Sequence, residues 1–320
     1  MDASSISFKN STVENYPARG LRLINSLNSL VERVNFFGPG RDNYNLVGIQ
    51  IDGGTGTIKN SFFKNNYRGI FVKCTDGLIL IEGNNFEENK YPVWTIPRAT
   101  FKSNQGQNNT YDGIILSGYI NEENITLFKN PLPYVIYSEL LVFENKVLTI
   151  EPGTTIKFDG NAKLKVKGQL LAQGIAPENI ITFAPYVPST GYRDGIYFYP
   201  QSQNSILENV VIDDCGYYVW MEGWDPAIYI EESQVTFNNV TVRNSARVGL
   251  FAKNSNAIIN NSNFTNQTLG IRIEGTEKYP QITGLVFANN EWDIYWPNGG
   301  ENCESLKIEG RKVMCGGCPF

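Results

Sequence analysis

Histidine is absent from all 320 residues. Its absence removes Ser-His-Asp hydrolysis, Cys-His proteolysis and every metal site that depends on imidazole. Any chemistry must run on carboxylates, Lys, Arg, Tyr or Cys. No apolar run approaches the ~18 residues of a membrane span, so none is expected. No run of Lys or Arg stands out, and the net charge is −5. Nucleic acid is not expected as a partner, because neutralising phosphates takes a concentrated basic surface. Sustained amphipathic-helix periodicity is also missing, which excludes an α-solenoid. The opening Met1-Asp2-Ala3-Ser4-Ser5-Ile6 has neither a basic n-region nor an apolar h-region. Ile6, Phe8 and Val13 already follow the repeat described next, so the chain is expected to begin inside a repeat, with a leader already removed.

What is present is a period. Gly48-Ile49-Gln50-Ile51, Gly69-Ile70-Phe71-Val72, Ala227-Ile228-Tyr229-Ile230, Gly249-Leu250-Phe251-Ala252 and Gly270-Ile271-Arg272-Ile273 are short alternating segments led by Gly or Ala. Within each cluster they recur every 21 or 22 residues. A second series places Asn two positions after an apolar residue: Val13/Asn15, Phe63/Asn65, Val242/Asn244, Phe264/Asn266 and Phe287/Asn289. Residues i and i+2 of a strand point to one side, so the apolar members share an interior. Asn suits the bend after the strand because it tolerates the left-handed conformation. Three short strands and three bends need about 22 residues, one coil of a solenoid whose coils stack ~4.8 Å apart. The expectation is an all-β chain folded as a right-handed parallel β-helix.

Strict alternation over 133–183, punctuated by Pro152-Gly153, Gly160 and Gly168, reads as the opening coils of a fresh β-helix. The polar stretch 98–125 reads as a break or long loop. Two β-helical segments are expected, 1–118 and 119–320, the second ending in a Cys-rich cap.

Leu148-Thr-Ile-Glu-Pro-Gly-Thr-Thr-Ile-Lys-Phe158, Leu164-Lys-Val-Lys-Gly-Gln-Leu-Leu-Ala-Gln-Gly174 and Ile181-Thr-Phe183 resemble the opening signature of right-handed β-helix proteins of the pectin-lyase-like superfamily. Similar stretches occur on bacterial and archaeal surface proteins and in some animal extracellular proteins. The resemblance implies the fold. It says little of activity, since that scaffold carries lyases, hydrolases, epimerases, adhesins and non-enzymatic proteins. Polygalacturonase-like members use three Asp and a His; Asp213-Asp214 resembles their Asp pair, but no His completes it. Pectate-lyase-like members use Ca²⁺ held by carboxylates and an Arg or Lys base. Asp213, Asp214, Glu222, Asp225, Glu231 and Glu232 supply carboxylates for such a Ca²⁺ site, with Arg193, Arg243 and Arg247 on neighbouring coils. The competing reading is that these are solvated charges on the outer wall.

Between Gly195 and Ala227 the rhythm is interrupted by Tyr217-Tyr218-Val219-Trp220-Met221-Glu222-Gly223-Trp224. These rings, beside Asp213, Asp214 and Asp225, are the candidate platform for sugar rings; the alternative is that the loop folds down over the wall. Tyr91-Pro-Val-Trp94 reads as core or cap packing, and Trp292 and Trp296 as part of the last coil or its cap. Of the five Cys, Cys303 is expected to pair with Cys315 or Cys318 and staple the tail, while Cys74 and Cys215 read as small buried residues. Sequons begin at Asn10, Asn108, Asn124, Asn239, Asn260, Asn263 and Asn266. The leading expectation is a non-catalytic extracellular or cell-surface scaffold that binds a polysaccharide or other glycan, with no cofactor unless Ca²⁺. The alternatives are a Ca²⁺-dependent polysaccharide lyase or other carbohydrate-active enzyme, and a structural module of a larger adhesin that self-associates or contacts flanking domains.

Overall fold

The computed structural model describes residues 5–75, 77–188, 195–216, 226–275, 277–307 and 310–316. The chain divides into two compact units, Met1–Gly118 with Ile125–Val135, and Tyr119–Asn124 with Ile136–Phe320. Each is a parallel β-solenoid. In the first, Ile49, Ile70, Val93 and Ile114 lie in register on successive coils, as do Val31, Ile58, Ile81 and Phe101. In the second, Leu164, Ile196, Ile228, Leu250, Ile271 and Ile294 form one such column. All of these side chains are buried. Period-two alternation sends them inward, and stacking gives each a neighbour of its own kind.

A column of phenylalanines runs beside them. Phe36 and Phe63 stack at 5.0 Å between ring centroids, and Phe63 and Phe86 likewise at 5.0 Å. These rings explain the recurring glycine. A Cβ on Gly69 would stand 2.6 Å from the Pro92 carbonyl oxygen and 2.8 Å from the Phe86 ring; on Gly48 it would stand 2.5 Å from the Gly69 oxygen. Asn15, Asn65, Asn244, Asn266 and Asn289, expected at bends, all have positive φ.

In the first unit buried Asn residues beside the bends form internal ladders. Asn66, Asn89 and Asn109 stack inside one corner of the first unit. Asn89 Nδ2 donates to Phe63 O at 2.8 Å, and its Oδ1 accepts the Asn66 backbone N–H at 3.0 Å. Asn109 repeats the arrangement with Phe86 O and the Asn89 N–H. A second ladder, Asn84, Asn104 and Asn130, does the same at another corner. The bends break the strand ladders, and the amides supply the partners that buried backbone groups require.

The long loop expected across 98–125 is absent, although the boundary between the two units falls inside that stretch, at Gly118/Tyr119. Ala99–Lys102, Gln105–Gln107 and Ile114–Ile120 are strands in register with the coil before them. The polar run misled because Asn104 and Asn109 are ladder residues, polar yet buried. At the C-terminal end the strand Val313–Met314 pairs with Trp292–Tyr295. Trp296 is buried, with Nε1 donating to Gly275 O at 2.9 Å. Cys303 and Cys315 form a disulfide beside the short helix Gly300–Glu304, one of the two pairings expected; Cys318 lies outside the described residues. Cys215 is buried as expected, but Cys74 is exposed. A register shift pairs Ile51 with Val72 and Asp52 with Cys74, which displaces Cys74 from the inward alternation.

Candidate functional site

In the second unit the Gly- or Ala-led strands carry apolar residues inward and a different set outward. Tyr197, Tyr229, Phe251, Arg272 and Tyr295 occupy one outward register position on five successive coils. The Tyr197 and Tyr229 rings lie 5.7 Å apart, and Tyr229 and Phe251 5.3 Å apart. Lys163 stands 4.3 Å over the Tyr197 ring, and the Arg272 guanidinium 4.7 Å over Phe251. Val248, Leu269, Trp292 and Met314 pack around Tyr295 and extend the apolar strip.

Beside the rings runs a charged column, Glu231, Lys253 and Glu274 in register. Lys253 Nζ is 2.7 Å from Glu231, and Arg272 is bonded to Glu274. The hydrogen bond that Lys253 donates to Glu231 is the largest cause holding the Lys253 pKa above its ordinary value. Burial, then the Glu231 charge, pushes the Tyr229 phenol up. Lys253 is thus a fixed cation and no general base at neutral pH. The file offers flat rings flanked by bound ion pairs, equipment for holding a ligand.

The first unit has its own outward cluster. The Arg68 guanidinium lies 4.7 Å from the Phe71 ring, 5.0 Å from Tyr67 and 5.1 Å from Trp94. Tyr91 stacks on Tyr111 at 4.8 Å and meets Trp94 edge-on at 4.9 Å. Lys90 Nζ sits 4.8 Å over Tyr67. Tyr91 is buried, as the core packing expected of this stretch requires, while Trp94 is half-buried on the outer wall.

Of the sites expected from sequence, Tyr217, Tyr218, Trp220, Trp224, Glu222, Asp225 and Arg193 lie outside the described residues. Asp213 and Asp214 are half-buried, and both border a shallow hollow with Ala184, Pro185, Pro188 and Asn244. Asp213 is committed on both oxygens: Arg243 reaches Oδ2 at 2.7 Å, and Asn244 Nδ2 donates to Oδ1 at 2.7 Å. Arg243, expected as a candidate base, is thereby an ion-pair partner whose guanidinium is held still more strongly protonated. Burial, then the Asp213 charge, raises the Asp214 pKa. Glu231 pairs with Lys253 on the file, while Glu232 sits exposed at a bend with φ 49°. Among the described residues no three Asp, Glu or Cys groups converge as a metal site would need.

The rings of the two outward files were not singled out from sequence. Their signal was the middle residue of each repeat marker: Phe71, Tyr229, Phe251 and Arg272 alternate with the inward residues that defined the period.

The chain matches a family described as a right handed beta helix region over residues 1–110 and 226–310, more than half its length. No curated protein and no solved structure matches it.

Proposed function

The chain belongs to the right-handed β-helix family, and we propose that it uses this scaffold to bind a polysaccharide without cleaving it. One observation carries the proposal: Tyr197, Tyr229 and Phe251 follow one another on three successive coils of the second unit, with centroids 5.3 to 5.7 Å apart and Tyr229 and Phe251 half-buried on the outer wall. A coil rise of ~4.8 Å is close to the length of one sugar in an extended chain, so successive rings can meet successive sugars. The flanking Glu231, Lys253 and Glu274 offer hydroxyl partners. Lys253 and Arg272 are both bonded to carboxylates, which favours a neutral chain on this file.

The setting is extracellular or at a cell surface. The Cys303–Cys315 disulfide is at home in an oxidising compartment. None of the seven sequons falls in the strands that bear the file, so glycans attached there would leave it open. The test is affinity electrophoresis against a panel of neutral and uronate polysaccharides, with a turnover assay for reducing ends and unsaturated product. Retardation by a neutral polymer, weakened about two- to tenfold in Tyr229→Ala or Phe251→Ala, is expected. Unaltered retardation in both variants, or turnover of any polymer, overturns the reading.

A further inference from the structure

We infer that the first unit carries a second ligand site, centred on Arg68, that takes the carboxylate of an acidic saccharide. It shares with the reading above only the class of ligand.

The inference starts from an unpaired charge. Several cations elsewhere on the outer walls are matched by carboxylates: Lys64 with Glu87, Arg22 with Asp52, Lys165 with Glu139, Lys253 with Glu231. The Arg68 guanidinium has no hydrogen bond to a side chain and no carboxylate partner among the described residues, and its Nε is buried without a partner. Burial lowers the Arg68 pKa. Charges taken out of water are ordinarily paired, and the ring faces of Tyr67, Phe71 and Trp94 compensate only in part. With Nε enclosed, the two Nη groups are the edge left to a ligand. That edge matches a planar carboxylate in bidentate fashion.

The surroundings define the rest of the ligand. Tyr67, Phe71 and Trp94, whose faces hold the guanidinium, border it with apolar surface against which the C–H groups of a sugar can pack. Lys90, over Tyr67 and Tyr91, brings a second cation to the same cluster. The nearby carboxylates on this wall are engaged: Asp52 by Arg22 and Gln50, Glu87 and Glu88 by Lys64. On the second unit Arg272, the arginine of the outward file, is already bonded to Glu274. The contrast separates a wall suited to neutral sugars from one that awaits an anion.

The experiment titrates the full chain with a galacturonate trimer, a neutral galactose trimer and inorganic sulfate, following tryptophan fluorescence and calorimetry. The acidic trimer is expected to bind, to change the fluorescence through Trp94, and to outbind the neutral trimer by about tenfold or more. Arg68→Met, which keeps the stem packed against the rings, is expected to weaken it by about tenfold or more. Arg68→Lys should fall between, since it keeps the charge and loses the fork. Tyr229→Ala should leave this binding unchanged, so failure of the second-unit reading and failure of this one are distinguishable. Equal affinity of wild type and Arg68→Met with unaltered circular dichroism overturns the site. So does equal binding of the neutral trimer, loss of binding in Tyr229→Ala, or sulfate binding as tightly as the acidic trimer. Should Arg68→Met fail to fold, equal affinity of Arg68→Lys and wild type is the overturning result.

Discussion

Replacing Gln267 by Asn should stabilise the protein. Gln267 occupies the ladder position after the bend residue Asn266, and its neighbour one coil on, Asn290, behaves as the first-unit ladders do. Asn290 Nδ2 donates to Phe264 O at 2.9 Å, and its Oδ1 accepts the Gln267 N–H at 3.2 Å. Gln267 is 5% exposed, yet its own Nε2 and Oε1 have no partner. The cause is one methylene too many. It carries the amide past the bend onto Gly249, where a Cβ would stand only 2.5 Å from Nε2. An Asn there would, by the pattern of Asn89 and Asn290, reach Val242 O with Nδ2 and the Ser245 N–H with Oδ1. An orphaned buried polar group costs about 1–3 kcal/mol, and each ladder bond contributes about 1 kcal/mol. The lost methylene subtracts about 0.8 kcal/mol, which leaves a gain of about 2–4 kcal/mol. In a unit of this size each kcal/mol moves the thermal midpoint by about 2–4 °C. Urea and thermal midpoints should both rise, and the Ser245 amide should exchange more slowly with deuterium. An unchanged or lower midpoint, with Ser245 exchange as in the wild type, refutes the reasoning. The reverse swap, Asn89→Gln, should lower the midpoint by a similar amount.

Three further outcomes follow from the geometry. Gly69→Ala forces a Cβ against the Pro92 carbonyl and the Phe86 ring, and should cost about 1–3 kcal/mol in urea unfolding. Cys303→Ser opens a loop of 12 residues, with a loss of about 3 kcal/mol expected and faster hydrogen exchange at Val313. Asp214→Asn should stabilise at pH 7. Burial first, and the Asp213 charge second, raise the Asp214 pKa in the fold, so its ionised form works against folding. That penalty is present above the folded pKa and vanishes as pH falls below the unfolded value. The gain, under ~1 kcal/mol for a group this exposed, should therefore fade through the acid range of a pH-dependent melting series.

Much of the fold is legible in the residues. Alternation at a fixed period names the inward columns, and bend asparagines such as Asn65 and Asn266 mark the corners, because a parallel stack repeats the same local demand on every coil. The ladders were legible in principle, as the second residue of Asn65-Asn66, Asn108-Asn109 and Asn289-Asn290. Polarity alone, however, cannot distinguish an amide that satisfies buried backbone from one that faces water, and this misread 98–125 as a loop. The outward files are harder. Tyr229, Phe251 and Arg272 are ordinary surface residues in isolation, and only parallel register, which brings residues 21 or 22 apart within contact distance, turns them into a continuous face. Pairing is likewise tertiary. Arg68 and Arg272 both flank a repeat Gly, one before Gly69 and two after Gly270, but only the folded chain decides that Arg272 meets Glu274 while Arg68 meets rings. Local period determines the scaffold because each coil solves its own backbone and burial problem; register between coils decides the chemistry of its walls, because neighbours there are set by stacking and not by the chain.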